Sequence, residues 1–117
     1  MADFTALSER AWRIRQLYGE LEARRYGRPW TREEVALGFV GDVGDLAKLV
    51  QAAEGVRNIP DAPAKLAHEL ADCLWSVLTL AKLYDVDLEA SFLETMDVLE
   101  GGLQARLTDP AAPADRA

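Results

Sequence analysis

The chain has 117 residues, half of them hydrophobic, which is enough for one ordinary domain with its own core. Its formal charge of −7 argues against a nucleic-acid polymer as partner, which takes a basic footprint, but leaves room for a nucleotide held through metal ions. The single cysteine, Cys73, offers neither a disulfide framework nor a zinc spacing. The N-terminus has no apolar signal core and no apolar run reaches membrane length, so a soluble cytoplasmic protein without a membrane partner is expected.

Leu, Ala and Val outnumber Ile and Thr, which favours helix over strand. Four helices fit, so the expected fold class is all-α and bundle-like. The first runs from about Phe4 to Tyr26, with Phe4, Leu7, Ala11, Ile14, Leu17, Tyr18 and Leu21 at helical spacing and charged residues between them. Gly27-Arg28-Pro29 ends it. The second opens on the capping box Thr31-Arg32-Glu33-Glu34, with Trp30 placed to staple onto Val35, and runs to about Ala53. It carries Gly38, Gly41 and Gly44, each costing about 0.8–1 kcal/mol against Ala in a helix interior. They form a smooth strip for close helix packing or for a ligand. A loop from Gly55 to Pro63 follows.

The third helix starts between Asp61 and Ala64, with Pro63 in its first turn, and continues to about Leu83. Leu66, Leu70, Cys73, Leu74, Val77, Leu78 and Leu80 give it an apolar surface wide enough for a central position or a subunit contact, and Cys73 reads as a buried thiol. Asp87 caps the fourth helix, which Gly101-Gly102 weakens near its end. A single domain over residues 1–107 and a disordered tail over 108–117 are expected.

Two stretches carry chemistry. Asp42 and Asp45 share one face of the second helix, and Glu69 and Asp72 one face of the third, each pair at i, i+3. If the faces oppose one another, four carboxylates converge, and they cannot all stay ionised without a cation. Oxygen ligands suit a hard metal, Mg²⁺ first and Mn²⁺ as the alternative. The fitting reaction is displacement at phosphorus by water, with no Cys, Ser or His nucleophile. Lys48, at i+3 from Asp45, and Lys65, at i−4 from Glu69, are either ion-pair partners or phosphate contacts. Arg57 is a further polar candidate. Trp30 is a candidate for stacking a base, as are Trp12, Trp75 and Phe39, although core packing is the better reading of any one of them. His68 is read as structural, with a supporting hydrogen bond to the site as its functional alternative.

At these residues the sequence resembles the MazG-like all-α nucleoside triphosphate pyrophosphohydrolases, whose pattern is Glu-Glu-x-x-Glu on one helix and Glu-x-x-Asp on the next. The segments Gly38 to Gly55 and His68 to Trp75 look like those helices, and Asp87-Leu88-Glu89 with Phe92 and Met96 looks like the start of the following one. The resemblance extends from about Leu17 to Leu103. It implies Mg²⁺ ligation and catalysis by Asp42, Asp45, Glu69 and Asp72, cleavage of a nucleoside triphosphate to monophosphate and pyrophosphate, and a role in nucleotide-pool housekeeping. It also implies a homodimer or dimer of dimers with the active helices packed across the subunit interface. The chain departs from the pattern at Gly41, where the family has its first Glu, and lacks the family's basic and Asn residues after Thr95. Phosphate contacts would then fall to Lys48, Lys65, Arg57 or a second subunit. Two other readings stand beside this one: a nucleotide- or metal-binding module of the same fold with weak or no turnover, and a helical oligomerisation protein.

Overall fold

The computed structural model describes residues 2–109 and residue 111. Among these residues it is all helical: α1 spans Phe4–Tyr26, α2 Arg32–Ala53, α3 Ala62–Leu83 and α4 Leu88–Thr108, with no strand. The chain divides into two units, one ending at Asp85 with α1, α2 and α3, the other beginning at Val86 with α4. No helix of the described residues is long and apolar enough to cross a membrane. Most of the expected tail over 108–117 lies outside the described residues, and Thr108 itself closes α4.

Local chemistry sets the helix ends. Asp3 accepts a hydrogen bond from the Ala6 N–H at the start of α1, and Asp87 does the same for Ala90 in α4. Gly27 ends α1 at φ +84°, a left-handed conformation in which a Cβ would be strained. The Thr31 hydroxyl accepts from the Glu34 N–H while Glu34 accepts from the Thr31 N–H, completing the capping box of α2. Arg28 adds its guanidinium to the same carboxylate. That hydrogen bond, with the Thr31 N–H behind it, lowers the Glu34 pKa to about 2. Within α4, Gly101 and Gly102 do not stop the helix, which runs on through Leu103 and Gln104 to Thr108. None of its described residues is buried.

In the first unit, α2 packs along α3, and α1 lies against α3. Val35, Leu49, Leu78 and Ala11 are buried apolar residues there. The Trp75 indole N–H donates to the Ala11 carbonyl at 3.0 Å and ties α3 to α1.

Three features of the packing go beyond the helix pattern. First, α3 is centred on small polar side chains: Thr79 and Ser76 are 1% and 2% exposed, while Leu70 and Leu74 are half exposed. Small side chains let neighbouring helices approach, and with Leu78 buried beside them α3 takes the central position expected of it. Secondly, α1 leaves Leu7, Leu17, Tyr18 and Leu21 between 41% and 50% exposed and buries Arg15 and Glu22 in their place. The two charges pair with one another, which makes their burial possible. Thirdly, the glycine strip does not seat a neighbouring helix within this chain. A Cβ at Gly38 would come 3.1 Å from Cζ3 of Trp30, but at Gly41 and Gly44 it would meet nothing within 4 Å.

Candidate metal centre and adjoining cleft

The packing of α2 on α3 brings Asp42 of α2 to Glu69 and Asp72 of α3. One oxygen from each of the three carboxylates lies within 4.8 Å of the other two. All three side chains are half-buried. Withdrawal from water raises the Asp42 pKa first, and the charges of Asp72 and Asp45 raise it further; a hydrogen bond to the Ser76 hydroxyl opposes them. Burial also leads at Glu69, whose pKa is raised next by Asp72, Asp42 and Asp45. Glu69 Oε2 is buried and finds no hydrogen-bond partner among the described residues.

These observations fit a hard divalent cation. The donor set is all oxygen, the charges repel one another, and an unpartnered buried carboxylate oxygen lacks what a metal supplies. A cation held by Asp42, Glu69 and Asp72 would satisfy Glu69 Oε2 and offset the repulsion together.

The other residues singled out in the sequence separate cleanly. Asp45 stands outside the group of three: it is exposed, with Oδ1 4.0 Å from Lys48 Nζ one turn on. Its charge still reaches Asp42 and Glu69. His68 points its Nε2 at Asp72 Oδ2, 3.1 Å away on the next turn, so the imidazole meets the site after all. Cys73 is half-buried, less enclosed than expected. Burial and the three carboxylates push its thiol pKa up, away from the nucleophilic thiolate. Arg57 turns back onto α2, its Nε donating to Gln51 Oε1 at 3.1 Å.

A cleft of about 660 Å³ in the first unit adjoins the carboxylates and has Asp42, His68, Asp72 and Ser76 in its wall. That volume suits a small organic ligand. Trp30, Trp75 and Phe39 line it, as the stacking expectation requires. Trp12 does not; its ring lies 5.9 Å from Lys82 Nζ. Lys48, Lys65 and Arg57 are also absent from its lining.

Sequence reasoning missed the α1 wall: Arg15, Tyr18 and Glu22. Arg15 and Glu22 form a buried ion pair, and the Trp30 N–H donates to the same Glu22 oxygen at 2.8 Å. The available signal was spacing: seven residues apart, the two charges share one face of α1 two turns apart.

A family model for the MazG nucleotide pyrophosphohydrolase domain matches residues 30–101, more than half of the chain. No curated protein and no solved structure gives a match. The matched segment contains Asp42, Glu69 and Asp72 and begins at Trp30, so Arg15, Tyr18 and Glu22 precede it.

Proposed function

This chain belongs to the MazG nucleotide pyrophosphohydrolase family, and on that footing we propose that it hydrolyses a nucleoside triphosphate to the monophosphate and pyrophosphate with Mg²⁺ or Mn²⁺. Its role is then removal of surplus or unwanted nucleotides. The observation that carries this reading is the convergence of Asp42, Glu69 and Asp72 beside a cleft of nucleoside size.

Asp42, Glu69 and Asp72 would hold the metal, and Asp45, exposed one turn further along α2, would be available to a second ion. When bound, a divalent metal supplies neutralisation of phosphate charge and a more acidic water. His68 fixes the orientation of Asp72 by meeting one of its oxygens, leaving the other for ligation. The raised pKa values of Asp42 and Glu69 keep protons in competition with the metal, so ligation is weakest in acid.

A second copy of the chain completes the assembly in this reading. Leu37 and Val40 are exposed on α2, and Leu70 and Leu74 are exposed on α3.

The test is pyrophosphate release from a panel of nucleoside triphosphates with Mg²⁺ or Mn²⁺, comparing the wild type with Asp42→Asn and Glu69→Gln. Release is expected from the wild type and lost in both variants. One observation favours a second reading, a binder without turnover: Gly41 places no carboxylate where the family pattern has one. No release from any substrate, together with a melting-temperature rise on adding metal and nucleotide, would establish that reading in place of the first.

A further inference from the structure

We propose that Arg15 and Glu22 read the base of the nucleotide, with Glu22 Oε2 accepting a hydrogen bond from an N–H on the base's Watson–Crick edge and Arg15 donating to the acceptor beside it. This rests on the nucleotide reading above, but on a different wall of the cleft and on residues that precede the family match.

Glu22 is 8% exposed, and only one of its oxygens is used. Oε1 accepts from both Arg15 Nη2 and the Trp30 N–H. Oε2 accepts no hydrogen bond among the described residues, yet it is not sealed from solvent as Glu69 Oε2 is. Since Glu22 lines the cleft, the free oxygen is open to whatever fills it. Arg15, also 8% exposed and also in the wall, spends donors only on Glu22 and keeps the remainder of its five N–H groups. A buried ion pair is a poor way to stabilise a fold when an apolar pair would serve. One in the wall of a cleft, with an acceptor oxygen and several N–H groups not spent within the pair, is complementary to a nucleobase edge, where N–H donors alternate with N and O acceptors.

The neighbouring residues place this edge relative to the metal site. Tyr18 lies one turn from both Arg15 and Glu22, and its ring meets Trp75 at 5.8 Å with planes tilted by 60°. Trp75 lies three residues beyond Asp72 on α3. The cleft wall therefore passes from carboxylates to aromatic rings to the ion pair. A nucleotide with its phosphates toward Asp42 and Asp72 meets aromatic faces with its base and the Arg15–Glu22 pair with its edge.

The test uses nucleosides, which carry no phosphate and need no metal, titrated against the full chain in chelator with tryptophan fluorescence as the readout. Trp30 and Trp75 both line the cleft. The nucleoside that binds best is compared with an analogue whose base lacks the N–H: the des-amino form, with hydrogen in place of the amino group, or the N-methyl form for a ring imino group. A hydrogen bond to a charged acceptor predicts about tenfold to a hundredfold weaker binding of the analogue. In Glu22→Gln, checked for folding by its melting temperature, the difference should shrink to within about threefold. Equal binding of nucleoside and analogue by the wild type would overturn the proposal, as would no binding of any nucleoside at millimolar concentration. If Glu22→Gln fails to fold, the wild-type comparison alone decides. A chain that discriminates the N–H but releases no pyrophosphate keeps this inference and loses the hydrolase reading; a chain that hydrolyses triphosphates but ignores the N–H does the reverse.

Discussion

Asp42 on α2 and Asp72 on α3 bring carboxylate oxygens within 4.8 Å of each other across a helix–helix contact, and the charge of Asp72 raises the pKa of Asp42. Two like charges held that close by folding are a standing cost that a cation relieves. Mg²⁺ should therefore raise the melting temperature saturably, by the equivalent of about 2.7 kcal/mol at a hundredfold excess over its Kd. Asp42→Asn should melt higher than the wild type without metal and respond little to Mg²⁺. Differential scanning fluorimetry decides it: an undiminished Mg²⁺ response in Asp42→Asn would remove Asp42 from the site.

The raised pKa values of Asp42 and Glu69 set a pH dependence with a definite sign. Both folded pKa values lie above those of the unfolded chain, so this contribution to stability is complete below the ordinary carboxylate range. It is lost as pH rises through the raised folded values. Metal binding needs the ionised carboxylates and acts in the opposite sense. The gap between melting temperatures with Mg²⁺ and with chelator should thus widen from acid toward neutral pH. A gap that stays constant over that series would refute the assignment.

Gly41 sits in a helix interior with nothing within 4 Å of where its Cβ would be. Gly41→Ala should stabilise the chain by about 0.5–1 kcal/mol, because it removes backbone freedom from the unfolded state without a clash. Gly41→Glu should fit equally well and tighten Mg²⁺ binding by restoring the carboxylate of the family pattern. Urea denaturation and calorimetric titration read the two effects. A destabilised Gly41→Ala would instead place the glycine strip in a contact between copies, and sedimentation would then show the variant dissociating.

Thr79 is 1% exposed, and its Oγ1 has no hydrogen-bond partner among the described residues. A buried hydroxyl left unpaired costs on the order of 1–3 kcal/mol, and valine has nearly the same shape. Thr79→Val should leave the fold intact and raise stability by about 1 kcal/mol, measured by urea denaturation. Thr79→Leu should lower it, since the added volume has nowhere to go between packed helices.

The helices were legible because their signals are local. Thr31 and Glu34 announce a capping box by type and spacing alone, Asp87 reads as a cap, and Gly27 before Pro29 reads as a stop. Part of the carboxylate group was legible for a related reason: the i, i+3 spacing of Glu69 and Asp72 puts both on one face whatever the helix packs against. Asp42 and Asp45 have the same spacing, yet only Asp42 joins the group, because reaching Glu69 requires a particular rotation of α2 against α3.

What the amino-acid order determined by itself is therefore the family, the set of helices with most of their ends, and the pairing of Glu69 with Asp72, the helices and the pair resting on interactions within a few residues or on a shared helix face. Tertiary structure alone decided which face of each helix is inside. Of the leucines on α1 and α3 only Leu78 is buried among the described residues, and Ser76, Thr79, Arg15 and Glu22 share the interior of the first unit with it and with Ala11, Val35 and Leu49. Small side chains admit the neighbouring helices, and Glu22, paired with Arg15 along α1, also accepts from the Trp30 N–H. No single residue carries that information; it exists only when three helices meet.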